Sequence, residues 1–221
     1  MRKTKIVLQT TILSMIVLFL FSCNPLENTT QSNSLLIVVQ ILGTDFEGQA
    51  ANYLQSDVLR EGQTGGYVVA DTARATLRAE LLNPSPEAES SIYDGIYVTR
   101  YVVSYIRSDG RNTPGVDVPH SFEGSMHVWL QIGQEEEVSF IIVREVAKME
   151  PPLLDLHDAR EEGVLQVTAQ IDFYGHDTVN NQVKATSNLA IYFANYMEAG
   201  PTPEPEPEPE PTLAETLQVA Q

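Results

Sequence analysis

From Ala73 to Leu81 the chain alternates without a break. Ala73, Ala75, Leu77, Ala79 and Leu81 fall on one side, and Arg74, Thr76, Arg78 and Glu80 on the other. A period of two suits a pleated strand with one buried face and does not suit a helix. The same pattern returns in Val164–Tyr174, where Leu165, Val167, Ala169, Ile171 and Phe173 share a face. Within Gln182–Tyr196, Val183, Ala185, Leu189, Ile191 and Phe193 are candidate core positions.

Four further runs read as strands. Leu35–Leu42 is almost continuously apolar, which predicts a strand buried on both faces. Ile96–Ile106 is dense in β-branched and aromatic residues. Ser125–Ile132 and Val138–Val143 follow, while the first alternating run extends from Tyr67 to Leu82. Turn residues divide them: Asn83-Pro84-Ser85-Pro86, Ser108-Asp109-Gly110, Gly133 and the loop 175–181. No long amphipathic helix is legible, although Ala50–Leu59 and Pro152–Arg160 each have room for a helical turn. Seven short strands with turns between them predict an all-β chain, a single β-sandwich over residues 34–199. Tyr97, Tyr101 and Tyr105 are spaced to share a strand face, as core packing or as a ligand platform. Trp129, the only tryptophan, is a candidate core anchor.

The two ends read differently. Residues 1–5 are basic and Ile6–Phe21 is mostly apolar. The run is short for a spanning helix and has the flanks of a signal peptide, 1–22. It closes on Leu20-Phe21-Ser22-Cys23. This resembles the lipobox of bacterial lipoproteins, with an aliphatic residue three before, a small residue just before, and then the cysteine. The resemblance implies cleavage between Ser22 and Cys23 and fatty acylation of Cys23. It also implies a membrane attachment through two or more acyl chains, which hold where one does not. In that family Asp after the cysteine marks inner-membrane retention; Asn24 points instead to an outer membrane, facing the periplasm or the cell surface. Residues 23–33 then read as a flexible polar tether.

At the other end, Pro201–Pro211 alternates Pro with Thr or Glu. Proline removes donors and fixes φ, so the tail 200–221 is expected to be disordered, with a polyproline spacer of roughly 34 Å. Beyond it, Leu213 and Leu217 would share one face of a short helix.

Two internal segments carry a second resemblance. DGRNTPGVDVP (109–119) and FYGHDTVNNQV (173–183) are similar to stretches of uncharacterised β-sandwich lipoproteins. The latter also resembles the last hairpin of bacterial immunoglobulin-like and fibronectin-like modules, with Asn180 where those have glycine. The resemblance implies an immunoglobulin-like fold and no particular function. The Cys…Trp…Cys spacing of immunoglobulin domains is absent, and a lone cysteine forms no internal disulfide.

Charge narrows the partners. The formal net charge is −17, and the first 22 residues hold three of the 13 Lys/Arg and none of the 30 Asp/Glu. The remaining chain therefore sits near −20 and repels nucleic-acid phosphates and anionic headgroups alike. Its membrane attachment has to come from an anchor, not from a basic patch.

The residues give little support for catalysis. His120, His127, His157 and His176 form no H-x-H, H-x-x-H or H-E-x-x-H pattern, so no metal site is expected from them. No G-x-S-x-G elbow, S-x-x-K or glycine-rich phosphate loop is present. Two loops hold oxygen ligands at close spacing, Asp109, Asn112 and Asp117 in one and Asp177, Asn180 and Asn181 in the other. Such residues in turns ordinarily bond their own backbone. The expectation is a lipid-anchored, non-enzymatic binding or structural module of the cell envelope, without a cofactor, with an envelope protein as partner. A Ca²⁺-dependent adhesion module and a cell-envelope hydrolase are the alternatives.

Overall fold

A computed structural model describes residues 32–62, 65–83, 94–158 and 163–196. The signal peptide, Ser22, Cys23, most of the tether and the Pro/Glu tail lie outside the described residues. The elements are strands β1 (Ser34–Thr44), β2 (Ala50–Ala51), β3 (Tyr53–Asp57), β4 (Asp71–Leu81), β5 (Gly95–Ile106), β6 (Phe122–Gln131) and β7 (Glu135–Val143), then a one-turn helix α1 (Glu145–Lys148), a 3-10 turn (Leu154–Leu156), and strands β8 (Leu165–Asp177) and β9 (Gln182–Ala194).

Two sheets face each other, in the orders β2-β1-β4-β7 and β3-β9-β8-β5-β6. The seven long strands are the seven read from sequence. They form an immunoglobulin-like sandwich, β1-β4-β7 against β9-β8-β5-β6. The alternation does the sorting: Ala73, Ala75, Leu77 and Ala79 of β4 meet Val167, Ala169, Ile171 and Phe173 of β8 in one core. Aromatic rings close its centre, with Phe140 edge-on to Phe173 at 5.5 Å and to Tyr101 at 5.1 Å.

Four expectations need correction. Ala50–Leu59 holds two short strands and no helical turn. β3 lies parallel to β9, from Tyr53 beside Ala190 to Asp57 beside Ala194. That long-range edge supplies backbone partners which local propensity cannot foresee. Gly43 makes room for this crossing, since a Cβ there would stand 2.5 Å from the Tyr53 carbonyl oxygen.

β1 is not buried on both faces. Leu35 and Val39 are each 45% exposed, and the pairing with β4 shifts register between Val38 and Gln40. The extra residue changes the phase, so Leu36 and Ile41 both face the core.

The three tyrosines do not share a face. Between Val98 and Arg100 the pairing of β5 with β8 slips by one residue. Tyr97 therefore faces outward while Tyr101 and Tyr105 are buried. Tyr101 fits because Gly124 opposite it has no side chain; a Cβ there would lie 2.2 Å from the tyrosine ring. Tyr105 donates its hydroxyl to the Ile142 carbonyl at 2.7 Å, and burial pushes its phenol well above the ordinary tyrosine range.

Trp129 is not a core anchor. It pairs with Tyr97 across β5 and β6 and stands half-buried on the outer face. In Pro152–Arg160 the helical turn is the 3-10 turn at Leu154–Leu156.

Candidate functional site

β1 and β4 converge at the end of the sandwich where β1 finishes and β4 begins. There the chain leaves β1 at Thr44 and turns through Asp45–Gln49. The Asp45 carboxylate accepts from the Gln49 N–H at 2.7 Å, and the Phe46 N–H donates to Gln55 Oε1 at 2.8 Å. This turn walls a cavity of about 310 Å³ lined by Thr44, Asp45, Phe46, Glu47, Gly48, Gln55, Asp57, Arg60 and Asp71. The Phe46 ring leans on Tyr196 at 5.7 Å.

The floor is a buried polar cluster. Lys148, at the end of α1, is fully buried. Its ammonium lies 2.9 Å from Asp71 Oδ2 and donates to the Asp57 carbonyl at 2.7 Å. Ser56 donates its hydroxyl to the same Asp71 oxygen at 2.5 Å. A buried charge is tolerated only when paired and hydrogen-bonded, which is how the cluster is built. Burial raises the Asp57 carboxyl above its ordinary value, against the downward pull of the Leu59 and Tyr196 N–H groups and of the Lys148 and Arg60 charges. The cavity thus offers carboxylates, an amide, one guanidinium and an aromatic edge. That set has the hydrogen-bonding groups to accommodate a small polar or charged group.

Sequence reading missed this cluster. One signal was available: Asp71 and Ala73 share parity, so the phase of β4 already places Asp71 on the core side. Nothing local marks Lys148, whose partners come from β3 and β4.

The loops weighed as cation sites use their oxygens internally. Asp109 pairs with Arg107 and Arg111, and these two guanidinium groups hold its carboxyl far below the usual range. Asn112 Oδ1 accepts from the Arg107 N–H at 2.6 Å, and Asp117 from the Thr113 N–H at 3.1 Å. In the β8–β9 hairpin, Asp177 Oδ1 accepts from the Val179 and Asn181 N–H groups at 3.0 and 2.8 Å. Asn180 takes a left-handed backbone, φ +69°. Among the described residues, no group of three or more His, Cys, Asp or Glu is placed to hold a metal ion, and no helix is long and apolar enough to cross a membrane.

A second feature lies on the outer face of the five-stranded sheet, near the other end. Tyr97 packs against Trp129 with centroids 4.4 Å apart and the rings tilted by 43°, flanked by the rings of His176 at 5.6 Å and His127 at 6.3 Å. His157 stands apart, its carbonyl accepting from Asn195 at 2.6 Å. The structure thus brings two of the four histidines together, in an aromatic group and not in a ligand set.

Fold and site together define a two-sheet β-sandwich with a polar cavity at one end. No family model matches the chain, and no curated protein is significantly similar to it.

Proposed function

We propose that this protein is a lipoprotein of the bacterial cell envelope, anchored through acylated Cys23, and that it acts as a non-enzymatic binding module. The observation that carries the reading is the placement of the two ends of β1. The strand spans 11 residues, with Ser34 following the tether and Thr44 lining the cavity. At the usual rise per residue, roughly 33 Å separates them. A domain held at Ser34 presents the cavity away from its anchor, where a soluble or neighbouring envelope partner has access. The site supports binding over catalysis, since the buried cation beneath the cavity, Lys148, is already matched by Asp71 and the Asp57 carbonyl.

Two measurements test the reading. Metabolic labelling with a fatty acid is expected to mark the wild type and not Cys23→Ala; label that persists in the variant refutes the anchor. A photo-crosslinking residue at Phe46 is expected to give a discrete adduct in living cells that Asp57→Asn weakens. Adducts from Val39, exposed midway along β1, with none from Phe46, would move the binding surface away from the cavity.

A further inference from the structure

The end of the sandwich nearest the tether differs in chemistry from the cavity end. Ser32 is tied to the β8–β9 hairpin, donating its hydroxyl to Asp177 Oδ2 at 2.8 Å. Asp177 is itself buried, and the remaining bonds of its carboxylate come from Val179 and Asn181. Around this point stand exposed apolar side chains, Val179 in the β8–β9 turn at 74% and Leu82 just past the end of β4 at 50% exposure. Beside them, within one or two residues of their strand ends, Tyr97, Trp129 and His176 form the outward aromatic group.

The cavity end also exposes apolar side chains, but among charges. Val146, Met149 and Leu154 alternate there with exposed Glu145, Glu150 and Asp155, and the cavity adds Asp45, Glu47 and Asp57. Anionic headgroups repel such a surface. At the tether end the β8–β9 turn offers Thr178, Asn180 and Asn181 beside the bonded Asp177 carboxylate, and Glu135 and Glu136 stand exposed farther back at the start of β7, Glu135 paired with Arg78.

We infer that the tether end of the sandwich rests on the bilayer that carries its own anchor, with Val179 and Leu82 entering the interface and the Tyr97–Trp129 pair at headgroup level. Tyrosine and tryptophan favour that level because each ring has an apolar body and a polar tip. The length of chain agrees: from Cys23 to Ser32 the backbone spans at most about 30 Å, so this end stays within reach of the membrane. The apolar area is small, so contact depends on the anchor holding it close. The inference thus rests on acylation of Cys23 and adds an orientation to it: cavity outward, aromatic face inward.

Trp129 is the only tryptophan, so its fluorescence reports this face alone. The full mature protein, purified with its lipid, is reconstituted into phosphatidylcholine vesicles, with and without nitroxide-labelled headgroups. Co-flotation with the vesicles, a blue-shifted emission and at least twofold quenching by the nitroxide are expected. Leu82→Asp/Val179→Asp is expected to co-float and melt like the wild type yet lose most of the quenching. Co-flotation of the wild type without quenching overturns the orientation and leaves the anchor standing. Failure of the wild type to co-float overturns both. Quenching that survives unchanged in the double variant overturns the role of Leu82 and Val179.

Discussion

Ser32, the first described residue, is tied to Asp177 at the end of β8, the serine hydroxyl donating to the carboxylate at 2.8 Å. The same carboxylate accepts from the Val179 and Asn181 N–H groups and from Asn181 Nδ2 at 2.9 Å, so one side chain closes the last hairpin and fixes where the tether leaves.

This predicts an acid sensitivity. Burial works against ionisation of Asp177, but the bonds from Asn181, Ser32 and Val179 outweigh it and hold the carboxyl below its ordinary value. A carboxyl depressed in the folded state stabilises the fold fully above the unfolded value of about 3.9, and the gain disappears as pH falls from there through the folded value. Thermal melts from pH 7 to pH 2 are expected to show a steeper acid limb in the wild type than in Asp177→Asn. At pH 7 the variant is expected to lose about 1–3 kcal/mol for the weakened acceptor. Parallel acid limbs would remove Asp177 from the account.

The buried pair makes a different prediction. Lys148→Met strips Asp71 of its counter-charge and is expected to cost about 3–5 kcal/mol by urea denaturation. Lys148→Met/Asp71→Leu removes both charges and is expected to recover much of that loss, because neither ion is then left unpaired. A double variant as unstable as the single would show that packing, not charge, sets the cost.

In the core, Ile171 is fully buried on β8. Ile171→Ala is expected to cost about 2–5 kcal/mol. A change below about 0.5 kcal/mol, the range of ordinary surface substitutions, would place the residue on the wrong face.

The bulge in β5 separates two tyrosines that sequence spacing would treat alike. Tyr101→Ala is expected to cost about 3–5 kcal/mol, as for other buried aromatic rings. Tyr97→Ala is expected to cost less than half as much, since the residue is 37% exposed. Equal losses in calorimetry would refute the assignment of faces.

The tail gives a prediction from sequence alone. Pro/Glu alternation offers no donors at proline and places a charge at nearly every other residue, so it does not pack into a core. Deleting Pro201–Gln221 is therefore expected to leave the melting temperature within error, and a large drop would show that the tail docks on the sandwich.

What the sequence determined by itself was periodic or local. Alternation in β4, β8 and β9 names the inward residues because successive strand side chains point to opposite faces. Turn chemistry set the strand boundaries, and the loops rich in Asp and Asn could be weighed from composition. What the tertiary structure decided was phase and pairing. A single extra residue near Thr99 turns Tyr97 outward, and another at Val39 resets β1; neither leaves a mark in the pattern of residue types. β3 is a strand only because β9 lies beside it. The cavity floor is less legible still: Lys148 and the Asp57 carbonyl that accepts its hydrogen bond are 91 residues apart. The burial that makes their bond matter exists only once both sheets have closed.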